Sequence, residues 1–273
     1  HHLCYNSLEQ FNAQARLKQA YMAKILYYDI ETAPNLRYVW GHFEQNVIEH
    51  EREWYLLCVS YRWEHENKTQ VCALVDFPDT YAKDPENDVH VAKKLWDLLD
   101  EADIVIAHNG DRFDMRKANA RFVYHNLGPV SPVKQIDTLK SARRYFMFNS
   151  NKLDNLGKHL GVGAKVDTGG FATWAGCMRG DMKAWKTMTK YAKQDVDLLR
   201  NVYMKLRPWM ANHPNLNVYS GESSCPICES EDLQRRGQRY TQVATYQQWY
   251  CNSCGAWSRT RMSEDVEKPG IVS

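Results

Sequence analysis

The stretch Lys24-Ile25-Leu26-Tyr27-Tyr28-Asp29-Ile30-Glu31-Thr32-Ala33-Pro34 decides the fold. Ile25, Leu26, Tyr27, Tyr28 and Ile30 are β-formers in a short run and Pro34 ends the pattern, so the segment reads as a buried strand. Asp29 and Glu31 are two residues apart and point to one face of that strand. Side by side at the end of an apolar strand, two carboxylates repel. Keeping both ionised is costly unless a cation lies between them. The pair suits a hard divalent metal held by oxygen; the plainer alternative is a solvated strand end.

Working outward, residues 34–53 show no clear period and carry Glu44, Glu49, Glu51 and Arg52, which suggests a long connection. Trp54 to Trp63 and Lys68 to Asp76 read as strands, with Glu64 to Asn67 as a hairpin turn. Val89, Val91, Ala92, Leu95, Trp96, Leu98 and Leu99 then recur at helical spacing. Asp103 to Ala107 is a short apolar strand, and Arg112 to Leu127 a helix closed by Gly128-Pro129. Val133 to Asp137 reads as a short strand leading into Thr138 to Phe146. Asn151 to Leu160 is helical and capped by Gly161, and Asp181 to Met210 is a long helical tract stopped or kinked at Pro208. Antiparallel strands followed by strand–helix alternation predict an α/β fold, a mixed sheet with helices on both faces.

The chain's 273 residues suffice for one full domain and a smaller module. A net charge of +2 gives no global bias toward nucleic acid or membrane, so any such surface is local. No apolar run is long enough for a transmembrane helix, and no signal-peptide pattern opens the chain, so no membrane partner and a cytoplasmic setting are expected. Residues 1–21 are polar and read as an N-terminal extension or an expression remnant. Four of the eight cysteines form two Cys-x-x-Cys pairs, which favours metal ligation there; Cys4, Cys58, Cys72 and Cys177 are scattered and read as plain buried residues.

His108-Asn109-Gly110-Asp111-Arg112-Phe113-Asp114 follows the strand that ends at Ala107, which sets Asp114 in a first helical turn. Alone, Asp114 reads as an acid complementing the helix dipole. Tyr191 and Asp195 are four apart and share a helical face; singly they read as a half-buried aromatic and an exposed acid. In order, however, Asp-x-Glu on a first strand, Asn-x-x-x-Phe-Asp after a central strand and Tyr-x-x-x-Asp on a late helix resemble the three motifs of the DEDDy exonucleases. The resemblance runs from about Lys24 to Trp209, and the matching positions are Asp29, Glu31, Asp114, Tyr191 and Asp195. Ile136 to Leu139 and Asn151 to Gly161 are similar to segments of phage-encoded stand-alone exonucleases of this type.

The resemblance implies a ribonuclease H-like fold and 3′-to-5′ exonuclease activity with two Mg²⁺ or Mn²⁺ ions. It implies that Asp29 bridges the metals, that Glu31 and Asp195 hold the nucleophile-side ion, and that Asp114 supports the other through water. Tyr191 is expected to orient the attacking water, since an ordinary phenol is a poor base at neutral pH. Thr32 and Asn109 are candidates for contacting the terminal nucleotide. Lys165 is a candidate for a phosphate contact, against the alternative of a solvated loop lysine. Asp103, Asp111, Asp137 and Asp197 lie near the motifs, but the family pattern does not require them.

After a linker near Asn212 to Asn217 come Cys225-Pro-Ile-Cys228 and Cys251-Asn-Ser-Cys254, a spacing typical of a structural four-thiolate zinc site; the alternative is a pair of disulfides. Thr241 to Tyr250 is strand-like, and the module resembles a zinc ribbon holding one Zn²⁺ in a closed, non-catalytic shell. Between Leu233 and Met262 there are five arginines and no acid, with Tyr240, Tyr246, Trp249, Tyr250 and Trp257 interleaved. Arg235, Arg236, Arg239, Trp249 and Trp257 are thus candidates for holding single-stranded nucleic acid, unless the aromatics are the ribbon's core. The flanking acids Glu229, Glu231, Asp232, Glu264, Asp265 and Glu267 cancel the charge overall.

The expected organisation is an extension over 1–21, an exonuclease domain over 22–215, a zinc ribbon over 220–262 and a tail over 263–273. The expected substrate is single-stranded DNA, with a DNA polymerase or other replication protein as a candidate partner. The rivals are an exoribonuclease with the same site, an inactive nucleic-acid-binding protein on the nuclease fold, and a DDE-type transposase, which leaves Tyr191 unexplained.

Overall fold

The computed structural model describes residues 22–43, 46–221 and 223–264. The readings of residues 1–21, Cys4, Glu44, Asp265, Glu267 and most of the tail lie outside the described residues. The chain divides into two compact units, Lys24–Tyr203 and a second that takes Met22, Ala23 and the described residues from Met204 onward.

The first unit is built on β1 (Ile25–Thr32), whose Leu26, Tyr27, Tyr28 and Ile30 are all buried. A strand apolar on both faces belongs in the middle of a covered sheet, and β1 is central in the order β5-β4-β1-β6-β7. It pairs antiparallel with β4 (Leu56–Trp63) and parallel with β6 (Ile104–Ala107). β5 (Gln70–Ala73) extends the antiparallel edge, and β7 (Lys134–Asp137) the parallel one. The ladder between β1 and β6 ends at Tyr27↔Ile106, so the part of β1 that carries Asp29 and Glu31 runs on past its neighbour. A register shift between Glu31 and Thr32 leaves Leu57 of β4 unpaired, a bulge beside the acidic end of β1.

Helices flank the sheet. After α1 (Pro78–Lys83), α2 (Val89–Glu101) buries Val91, Ala92, Leu95, Leu98 and Leu99 and packs on β4, β5 and α3 (Asp114–Tyr124). α4 (Thr138–Tyr145) starts on Asp137, whose carboxylate accepts the amides of Leu139 and Lys140. α5 (Leu153–His159) closes as read: Gly161 is left-handed (φ 67°), its amide bonds the Lys158 carbonyl, and the Val162 amide bonds that of Gly157. After α6 (Phe171–Met178) comes α7 (Met182–Leu206), which buries Trp185, Met188, Ala192, Val196, Leu199 and Val202 along one face. As expected from Pro208, the α-helical part stops at Leu206 and a 3-10 turn covers Arg207–Trp209.

Three readings need correction. Residues 34–53 include a hairpin of β2 (Leu36–Tyr38) and β3 (Glu49–Arg52); its residues are almost all exposed, so burial imposed no alternation to read. The strand from Lys68 does not reach Asp76. The Asp76 carboxylate accepts the Ala73 amide (2.8 Å), which turns Leu74–Asp76 into a 3-10 turn. α1 and α6 were unforeseen, being too short to show a period.

In the second unit a short helix, α8 (Asn217–Ser220), precedes a sheet ordered β10-β9-β8, with β8 (Leu233–Tyr240), β9 (Thr245–Cys251) and β10 (Trp257–Arg259). The segment Thr241 to Tyr250, read as strand-like, is taken up by β9 only from Thr245, and β8, which ends at Tyr240, was not read as a strand. It is bulged between Arg235 and Gln238, where Gly237 takes a positive φ of 70°. The core is Cys225, Ile227, Cys251 and Ala256, with Cys228, Leu233 and Cys254 against it. Tyr240, Tyr246, Trp249, Tyr250 and Trp257 are not among its residues.

Candidate active site

Alternation along β1 turns Asp29 and Glu31 to one face, and the 3.6-residue period of α7 brings Asp195 to meet them. One carboxylate oxygen from each lies within 4.8 Å of the others. Asp114, at the start of α3 and 1% exposed, stands behind this trio. It accepts the Ile30 amide (3.2 Å), on the strand edge that β6 leaves open. Gly110 allows the turn into α3, since a Cβ there would meet the Ala107 Cβ at 2.5 Å.

Such crowding is expensive. Burial, then Asp114, Glu31 and Asp195, push the Asp29 carboxyl well above the usual range. Burial and Asp195 push Glu31 up to about 8. Burial raises Asp114 to about 7 against the pull of the Ile30 amide. Burial also raises Asp195, with Lys165 opposing. The positive charge that partly relieves the cluster is the Lys165 ammonium, which ion-pairs with Asp195 and donates to the Tyr191 hydroxyl (3.0 Å). Lys165 is held from its backbone: its amide donates to Asp154 Oδ1 (2.8 Å) in the first turn of α5.

Tyr191, one turn from Asp195, packs edge-on against Trp174 at 5.8 Å between ring centres. Burial, then the Asp195 and Glu31 charges, hold its phenol protonated. Trp174 also hydrogen-bonds Glu31, which with Lys165 lowers that group's pKa. Trp174 went unrecognised in the sequence because an eight-residue helix offers no pattern that singles it out.

Of the remaining candidates, Thr32 accepts a hydrogen bond from Lys117 (3.2 Å). Asn109 adopts a left-handed backbone (φ 71°) and donates its amide to Asp137 (3.0 Å). Asp197 is engaged by Arg62 and Thr69. Asp137 caps α4, yet its Oδ2 is buried without a hydrogen-bond partner among the described residues.

The donor set fits a hard divalent cation. Three carboxylates converge, their pKa values rise together, and the buried Oδ1 of Asp195 has no hydrogen-bond partner among the described residues.

The second cluster is sulfur. Cys225, Cys228, Cys251 and Cys254 are free thiols whose sulfurs gather within 4.8 Å, with Cys225–Cys254 and Cys228–Cys251 both at 3.7 Å. That spacing is too long for disulfides. It is close to the edge of a tetrahedron built on zinc–sulfur bonds of about 2.3 Å, so the four side chains fit Zn²⁺. Arg235, Arg236 and Arg239 are exposed on β8. Arg235 pairs with Glu264, Arg236 lies over Tyr250 and Trp257, and Trp249 is half-buried on β9.

The chain belongs to the RNase H superfamily, whose family model matches residues 26–207. Comparison with curated proteins finds no match. Among solved structures the chain is similar to the family B DNA polymerase from the hyperthermophilic archaeon Pyrobaculum calidifontis, with 12% identity and a TM-score of 0.50. The likeness covers 81% of this chain and 31% of the polymerase chain, and it is one of fold. Among the described residues, no helix is long and apolar enough to cross a membrane.

Proposed function

We propose that the chain is a metal-dependent 3′-to-5′ exonuclease of the DEDDy type that hydrolyses phosphodiester bonds of single-stranded DNA. The observation that carries this reading is the meeting of Asp29, Glu31 and Asp195 within 4.8 Å, with Tyr191 one helical turn from Asp195. Asp29, Glu31, Asp195 and, from behind, Asp114 would hold two Mg²⁺ or Mn²⁺ ions. Bound there, the ions would supply an activated water and stabilise the leaving oxygen.

The chain's own residues do the rest. Tyr191 stays a neutral phenol, suited to orienting the attacking water by hydrogen bonding rather than to removing its proton. Lys165 is placed to neutralise a phosphate oxygen once its hold on Asp195 is released. Thr32, next to Glu31 on β1, and Asn109, in the turn before Asp114, would contact the terminal nucleotide. In this reading the nuclease domain spans 22–215 and the ribbon 220–262, with Cys225, Cys228, Cys251 and Cys254 on one structural Zn²⁺. Arg235, Arg236, Arg239, Trp249 and Trp257 then help to hold the strand, and a polymerase or other replication protein is the candidate partner.

The test is digestion of labelled single-stranded DNA, duplex DNA and RNA with Mg²⁺ or Mn²⁺. Single-stranded DNA should be degraded fastest, from its 3′ end. Preferential degradation of RNA would make the enzyme an exoribonuclease, and no degradation of any substrate would refute the proposal.

A further inference from the structure

Within the second unit, a cleft of about 630 Å³ opens between the segment Lys205–Trp209 and the β9–β10 edge of the cysteine sheet. Its walls carry two cations, Lys205 and Arg207, and three aromatic rings, Trp209, Tyr250 and Trp257. No aspartate or glutamate lines it. Trp209 is 65% exposed and Trp257 48% exposed. Tyr250 and Trp257 pair across the strands with ring centres 5.2 Å apart, and the Arg236 guanidinium lies 5.4 Å from each ring.

Folding of the sheet does not account for this arrangement. The sheet's core is made of cysteines and aliphatic side chains. Large aromatic area exposed to water is costly, and here two indoles that keep about half or more of their surface exposed stand beside cations. A flat ring beside a guanidinium matches a nucleobase with its phosphate: the base stacks, the phosphate takes the charge-assisted hydrogen bonds. A duplex keeps its base faces stacked internally, so an unpaired strand offers this ligand and a duplex does not. The volume lies in the range of sites that enclose small ligands.

We infer that this cleft is a binding site for unpaired nucleotides of a nucleic acid strand, with Trp209 and Trp257 stacking on bases and Arg207 and Lys205 on the backbone. The inference deepens the nuclease proposal and rests on it only for what the bound strand is used for.

The test is fluorescence anisotropy with a labelled single-stranded oligonucleotide and its duplex, at two salt concentrations. It uses the zinc-loaded full chain carrying Asp195→Asn to prevent digestion. In that background Trp209→Ala and Trp257→Phe/Trp209→Ala should each weaken single-strand binding about fivefold or more and leave duplex binding nearly unchanged. Arg207→Gln should lower the salt slope by about one. Trp209 lies outside the cysteine sheet, so a loss in that variant is not a loss of the sheet. Single-strand affinity equal to the background in both tryptophan variants would overturn the inference, as would equal losses for single strand and duplex. Hydrolysis of short dinucleotides by the parent chain reports on the acidic site alone. If it fails while the stacking losses stand, the cleft is retained and the nuclease reading falls.

Discussion

The ammonium of Lys165 lies 3.0 Å from the phenolic oxygen of Tyr191 and pairs with the Asp195 carboxylate one helical turn away. One loop lysine thus neutralises part of an acidic cluster that is otherwise self-repelling. Lys165→Gln leaves Asp195, only 2% exposed, without its counter-charge. The variant should lose about 1–3 kcal/mol of stability when no divalent ion is added. Added Mn²⁺ should narrow the gap, because it supplies the missing charge. Thermal melts with and without Mn²⁺ measure this, and equal melting temperatures for parent and variant would contradict it.

The raised carboxyl pKa values predict an unusual pH dependence. Glu31 goes from about 4.5 when unfolded to about 8 when folded, and Asp114 from about 3.8 to about 7. Between those limits the folded state binds more protons than the unfolded one, so stability falls as pH rises. Without divalent ion the melting temperature should drop between about pH 5 and pH 8, and Asp29→Asn should reduce the drop. Mn²⁺ should stabilise the protein more at pH 8 than at pH 6, since binding displaces those protons. A melting temperature that rises across this window in the ion-free protein would count against the site's geometry.

Much of this architecture could be read from the chain, and the exceptions have physical causes. Strand β1 announced itself because burial on both faces left no room for polar residues before Asp29, and α7 because Trp185, Met188, Ala192, Val196 and Leu199 keep a helical period. The pairing of Asp29 with Glu31 follows from strand alternation alone. That Asp195 joins them does not; only the family resemblance suggested it. The place of Lys165 was beyond local reading, because its side-chain partners Tyr191 and Asp195 are 26 and 30 residues away and its loop is set by contacts without a period: the Asp154 carboxylate on its amide, and Gly157, where a Cβ would strike the Gly163 carbonyl at 2.6 Å. The aromatics between the cysteine pairs were open to two readings in the sequence, because composition alone does not show which of them enter a core; the core there is of cysteines and aliphatics.

Trp174 tunes Glu31 by hydrogen bonding its carboxylate, one of the influences that lower its pKa. Trp174→Phe keeps the ring against Tyr191 but removes the donor. The acid limb of the pH–rate profile should therefore move to higher pH, with a modest fall in the maximal rate. A profile superimposable on the parent's would show that the indole serves only for packing.

Two of the four thiols, Cys225 and Cys251, lie in a small core of the second unit, and Cys228 and Cys254 pack against it. Cys225→Ser should lower bound zinc from one per chain to none at micromolar protein, because one lost thiolate opens a closed shell and releases the folding energy coupled to it. Zinc released by a thiol-reactive reagent and quantified with a chromogenic chelator decides this. A stoichiometric ion in the variant would contradict the four-thiolate assignment.

In the proposed function, Asp195 completes a carboxylate site on β1 that cleaves phosphodiester bonds. The most direct test is the digestion of a 5′-labelled single strand with Mg²⁺ by the parent and by Asp195→Asn at matched folded concentration. The parent should give a ladder of products shortening from the 3′ end, and the variant a rate at least about a hundredfold lower, since its neutral amide is a poorer ligand for the cation. Digestion by Asp195→Asn at the parent rate, or by the parent in excess EDTA, would contradict this function.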